Sequence, residues 1–269
     1  LVGSEMCIRD RLKFYGIRTM RDFAKDKNLR WPYANVSVYE VVANEFLKFI
    51  GRGVTWSSGY HGENTRGNGN YVVEPDSSIK PLDPSKDRGV EIISPPLSLQ
   101  DMDSDLDKTL NYINDRGCYT NKTCGLHINI SVPSLGVEHL DYVKLVLFLG
   151  DEYILDQYGR STNIYCKSAF KYVNDQMNLH KQLIPGAMDK MKNSLNTTAA
   201  KMFASEGPGK RSSVHLKDGY IEFRSPGGDW ISDLKKNKQK IMDTIYRFVV
   251  AVDIASTPGK ESKEYSKKL

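Results

Sequence analysis

Gly89-Val-Glu-Ile-Ile-Ser-Pro95, Gly125-Leu-His-Ile-Asn-Ile-Ser131 and Tyr220-Ile-Glu-Phe-Arg-Ser-Pro226 each read as a strand that carries charge or a hydrogen-bonding head on one face. Side chains alternate along a strand. Leu126, Ile128 and Ile130 therefore go one way, and His127, Asn129 and Ser131 the other. Ile221 and Phe223 likewise oppose Glu222 and Arg224, and Val90 and Ile92 oppose Glu91, although Ile93 shares the glutamate's side. A fourth run, Val72-Val-Glu-Pro-Asp-Ser-Ser-Ile79, sets Glu74 and Asp76 on one side. An ordinary solvated sheet face is rich in Lys, Thr and Ser. This face gathers carboxylates, an imidazole and a guanidinium, groups that hold magnesium and polyphosphate. One glutamate on one half-exposed strand is ordinary surface, but four strands with the same habit point to a site.

The elements that must position these groups follow from periodicity. Ser37-Val-Tyr-Glu40 is a capping box, and Val38, Val41, Val42, Phe46, Phe49 and Ile50 recur at helical spacing up to Gly51. Val54–Ser58 and Tyr71–Val73 are expected to pair as a hairpin around the glycine-rich loop 59–70, which reads as a mobile flap and lacks a P-loop ending. A second helix carries Leu99, Met102, Leu106, Leu110 and Ile113 and stops at Gly117. A third covers 137–158, a fourth 189–205, and a long last helix 230–256. No strand is an unbroken apolar run, so the pattern predicts an α+β fold rather than a doubly wound parallel sheet.

Composition bounds the rest. With 269 residues, 39% hydrophobic and 26% charged, the chain suits one large domain. No run approaches the length of a membrane span, and the N-terminus lacks a secretory apolar segment; the chain reads as cytoplasmic. Cys118, Cys124 and Cys166 are read as reduced thiols, since Cys118, Cys124 and His127 lack the paired spacing of structural zinc. His61, His139, His180 and His215 read as structural or solvated, and only the position of His215, on the strand preceding the Glu-Phe-Arg motif, weakly suggests more. The net charge of +5 and the basic stretches 235–240 and 260–269 do not establish a nucleic-acid surface; a mildly basic cleft equally suits ATP.

The ordered set Glu-Pro-Asp-Ser-Ser-Ile, Gly-Val-Glu-Ile-Ile-Ser-Pro, Cys-Gly-Leu-His-Ile-Asn and Ile-Glu-Phe-Arg resembles the amidoligase family of glutamine synthetase-like carboxylate–amine ligases, from about Val36 to about Ser256. The resemblance implies a curved antiparallel sheet with helices on its convex face, and ATP with magnesium, or manganese, over the concave one. It implies ATP-dependent amide formation through an acyl phosphate from small-molecule or peptide carboxylate and amine substrates. On this resemblance Glu91, His127 and Glu222, with Glu74 and Asp76, are metal ligands. Arg224, Arg211 and Arg160 face the nucleotide, and Glu91, His127, Glu222 and Arg224 carry catalysis. The family's opening strand, Gly-Val-Glu-Ile-Glu, is missing: Tyr15-Gly-Ile-Arg-Thr-Met20 puts Arg18 and Met20 where its glutamates belong. Residues 1–11 resemble translated sequencing-adapter read-through and are expected to be a non-native leader. Residues 12–35 then form an unassigned segment, 36–256 the amidoligase-like domain, and 257–269 a flexible basic tail. A non-catalytic binding module of the same fold, and a metal-dependent phosphotransferase or hydrolase, are the alternatives, and the oligomeric state is left open.

Overall fold

A computed structural model of the chain describes residues 4–12, 37–59, 69–82, 88–131, 136, 139–183, 188–207, 209–231, 233–257 and 259. The readings made for Arg18, Met20, His61, most of loop 59–70 and the tail 260–269 lie outside the described residues. The fold is mixed α and β, and the chain divides into two compact units, one of residues 4–126 and 227–239, the other of residues 1–3, 127–226 and 240–269.

In the first unit, strands β1 (Ser4–Leu12), β2 (Val54–Trp56), β3 (Tyr71–Pro75) and β4 (Arg88–Ile93) lie in the order β2-β3-β4-β1. β4 is antiparallel to both neighbours, pairing Glu91 with Glu74 on β3 and with Arg9 on β1. Residues 4–11 of the stretch read as a non-native leader lie in β1. Backbone groups along a sheet edge pair with any extended segment whatever its side chains, so strand addition asks little of the sequence. The hairpin expected of 54–58 and 71–73 is not formed. β2 and β3 run parallel, with Val54 opposite Tyr71, a pairing that a tight turn could not connect.

Two helices cover this unit's apolar residues. Helix α1 (Val38–Ile50) is capped by Ser37, whose hydroxyl accepts from the Tyr39 amide, and ends at Gly51 in the left-handed region at φ 69°. It buries Val42, Ala43, Phe46 and Ile50, one face at helical spacing. Phe46 meets Tyr71 edge-on at 5.2 Å and Tyr112 at 5.1 Å. Helix α2 (Leu99–Asp115) starts on Ser98, which accepts from the Asp101 amide at 3.1 Å. Replacing Ser98 with alanine orphans that donor and is expected to lower stability by about 1 kcal/mol, read as a shift in the urea midpoint at unchanged slope. The buried Asp105 of α2 takes the Arg52 Nε at 2.7 Å and the Tyr71 hydroxyl at 3.0 Å, which ties α1's exit and β3 to α2.

In the second unit, β5 (Leu126–Ser131, from His127 onward), β6 (Val214–Lys217) and β7 (Tyr220–Phe223) form an antiparallel arrangement with β7 in the centre. Around it lie α3 (Tyr142–Leu149), α4 (Asp151–Gln157), α5 (Ala169–Leu183), α6 (Met188–Phe203) and the C-terminal part of α7 (Leu234–Ser256). The single helix expected over 137–158 is two. Gly150 takes φ 65°, a left-handed conformation that ends α3 and reorients the chain before α4. Phe223 of β7 stacks on Phe248 of α7 at 4.3 Å, fixing the oily side of the strand to that helix. Among the described residues no helix is long and apolar enough to cross a membrane.

Candidate functional site

Strand pairing assembles the second unit's polar group. β5 sets Asn129 opposite Glu222, and β6 sets His215 opposite Glu222 from the other side. His127, two residues before Asn129, shares its face. The outcome is a carboxylate between two imidazoles: His127 Nδ1 lies 2.9 Å from Glu222 Oε1, and His215 Nδ1 lies 3.2 Å from Oε2. Arg224, two residues along the same face of the chain, brings Nη1 to 2.8 Å from Oε2. The polar face is covered rather than solvated, since His127, Asn129, His215 and Glu222 are all buried. Burial pushes the Glu222 carboxyl up, but His127 first, then His215 and Arg224, outweigh it and hold the group well below the usual carboxylate range.

Of the other two arginines carried over by resemblance, Arg160 is buried and donates from Nη1 to backbone carbonyls of Arg224 at 2.7 Å, Ser225 at 3.3 Å and Pro226. Arg211 stands exposed on the 3-10 turn Gly209–Arg211, where its carbonyl accepts from the Lys167 amide. Cys166 is buried among these groups, and burial pushes its thiol up to about 11 against the pull of Arg160 and Arg224, which removes it as a nucleophile at neutral pH. Cys118 and Cys124 are likewise not in disulfides.

The first unit holds the other carboxylates. Glu74 and Glu91 stand directly opposite each other on β3 and β4, both buried. Asp76 lies just past the end of β3, buried as well, and its Oδ1 accepts from the Ser78 amide at 2.7 Å, an Asx turn.

A family model described as "Putative amidoligase enzyme" matches residues 19–241, most of the chain. The chain belongs to this amidoligase family. The match starts earlier and stops sooner than the motifs at 36–256, and it takes in the strands that carry Glu74, Glu91, His127, Glu222 and Arg224. No curated protein and no solved structure matches the chain.

The two groupings of this amidoligase differ in what they fit. Glu74 and Glu91 bring two buried carboxylates, oxygen donors of the type that magnesium takes, to opposite positions of one ladder. Glu222 does not suit a magnesium ion in its present arrangement. Both its oxygens already face imidazole or guanidinium nitrogen, and the Nδ1 atom of His127 is turned onto it. A cation at Glu222 would have to displace Arg224 or an imidazole. Among the described residues, no group of three or more His, Cys, Asp or Glu side chains is disposed to hold a metal ion. Of the five side chains expected as metal ligands, Glu74, Asp76 and Glu91 belong to the first unit and His127 and Glu222 to the second. Sequence reasoning left His215 outside the site; its position on the strand before the Glu-Phe-Arg motif was the available signal.

Proposed function

We propose that this amidoligase is an ATP- and magnesium-dependent carboxylate–amine ligase on a glutamine synthetase-like fold, with a curved antiparallel sheet and helices on its convex side. The observation that carries the reading is the family membership over 19–241. The carboxylate oxygen of one substrate attacks the ATP γ-phosphorus and ADP leaves. The amine nitrogen of the second substrate then attacks the acyl carbon, phosphate leaves and the nitrogen gives up a proton. Both steps concentrate negative charge, so fixed cationic groups do most of the work.

Each residue has a part on this reading. Glu74 and Glu91 would hold magnesium, with Asp76 close to Glu74 in sequence, and manganese is a substitute; the ion would neutralise phosphate charge. Arg224 presents its guanidinium to phosphate oxygens while Glu222, anionic and wedged between His127 and His215, fixes the direction in which that guanidinium points. Arg211, exposed, is free to reach an anion by swinging its long side chain. The substrates are small-molecule or peptide carboxylates and amines, met in the cytoplasm, and neither a membrane nor nucleic acid is part of the reaction.

Calorimetric titration with MgATP, followed by an assay for amide formation coupled to ADP release, tests this. Binding and coupled amide formation are expected. ADP or phosphate release with no amide from any amine would replace the ligase with a phosphotransferase or hydrolase, and failure to bind MgATP would replace it with a non-catalytic binding module.

A further inference from the structure

Arg224 is the first residue beyond the strand ladder, because pairing of β7 ends at Phe223 against Ile128 on one side and Val214 on the other. Nothing in the ladder fixes its peptide units. Two other contacts do. The Arg224 amide donates to the Ser213 carbonyl at 2.9 Å, and the Arg224 carbonyl accepts from Arg160 Nη1 at 2.7 Å. The same nitrogen reaches the carbonyls of Ser225 and Pro226, so its two hydrogens are shared among three oxygens of consecutive residues. Arg160 is itself held. Gly159 at φ 62° turns the chain out of α4, and the Arg160 amide donates to the Leu155 carbonyl at 2.6 Å, which directs a long cationic side chain to a buried position.

We propose that Arg160 is a positioning residue for Arg224: its guanidinium clamps the peptide units from Arg224 to Pro226 and thereby aims the Arg224 side chain at the anion it binds. This rests on the ligase reading, in which that anion is the polyphosphate of ATP. A guanidinium spent on three backbone carbonyls differs in kind from one spent on phosphate. The first acts on the protein before any ligand arrives, and the second acts only on the complex.

The test pairs Arg160→Lys with Arg160→Gln, the lysine keeping three donors should the glutamine variant fail to fold. Hydrogen exchange at the Arg224 and Ser225 amides is measured without ligand, and MgATP affinity by calorimetry, in the wild-type and Arg224→Ala backgrounds. The expected result is at least about tenfold faster exchange at those two amides in ligand-free protein, together with an affinity loss of about tenfold that shrinks below about twofold when Arg224 is already alanine. Affinity lost with exchange unchanged would make Arg160 a direct ligand contact, and exchange raised with affinity unchanged would make it a purely structural tie; either overturns the proposal. Wild-type protein that fails to bind MgATP overturns the nucleotide reading and the aiming role with it, whereas binding by the wild type with full affinity in both Arg160 variants overturns the aiming role alone.

Discussion

Glu222→Gln is expected to lower turnover by about 10²-fold or more and to destabilise the fold by about 3 kcal/mol. The carboxylate takes His127 and His215 on its two oxygens and Arg224 on one of them, in a buried position. A neutral amide is nearly the same size but presents an NH2 where one of those nitrogens needs an acceptor. Three nitrogen-bearing groups then lose the anion that organises them, and Arg224 loses the contact that fixes its direction. At roughly 2–4 °C per kcal/mol for a chain of this size, the melting temperature should fall by roughly 6–12 °C. The pH dependence carries the sign. The folded carboxyl lies below its ordinary value of 4.5, so its stabilisation is fully present above that value and is lost as pH falls through the folded value. Urea unfolding of the wild type should therefore weaken as pH falls well below 4.5, and the glutamine variant should show a flatter profile there. A variant that melts with the wild type and turns over normally would remove Glu222 from the centre of the site.

What could be read from the sequence divides along physical lines. Strand alternation is local, so the shared face of His127 and Asn129, and of Glu222 and Arg224, was legible from spacing alone. The caps were legible for the same reason: Ser37 and Gly51 bound α1 as their side-chain chemistry and backbone freedom require. Strand partnership is not local. Nothing in Val-Thr-Trp says that it lies parallel to Tyr-Val-Val, and the expected hairpin rested on proximity in the chain, which a long connection makes uninformative. His215 shows the same gap. Its importance comes from the β6 register that sets it opposite Glu222, and a register is a property of two strands together.

Burial was the other blind spot. An alternating strand was expected to leave its polar face to solvent or ligand, yet Glu74, Glu91, His127 and Glu222 are all buried. Polar groups on a covered face must be offset by one another, and Glu222 is answered by nitrogen from His127, His215 and Arg224. Arg160 makes the point for arginine. The resemblance marked its position, but only the three carbonyls around Nη1 show that its donors act on the protein's own backbone.

Asp151→Ala is expected to be the most destabilising single change in the second unit, by about 4 kcal/mol. Asp151 opens α4 and is fully buried. Its Oδ2 accepts from the Ala169 amide at 2.6 Å, the Ser213 hydroxyl at 2.5 Å and the Phe170 amide at 3.3 Å, while Oδ1 accepts from the Ser168 hydroxyl at 3.2 Å. Ala169 and Phe170 begin α5, where amides have no partner inside the helix, so one side chain from α4 caps another helix. Burial pushes the Asp151 carboxyl up, with these donors pulling against it; the group is held by hydrogen bonds rather than by a countercharge. Alanine leaves the Phe170 amide and the Ser213 hydroxyl without this acceptor, and leaves the Ala169 amide only Ser213 Oγ at 2.9 Å. Because the Ser213 carbonyl holds the Arg224 amide, the damage should also reach the site. A fall in melting temperature of roughly 8–16 °C is expected, with Asp151→Asn intermediate because its single amide oxygen still accepts. MgATP affinity should fall in the surviving folded protein. A melting temperature within about 2 °C of wild type would mean that α5 finds its cap elsewhere, and that Ser213 reaches Arg224 without help from Asp151.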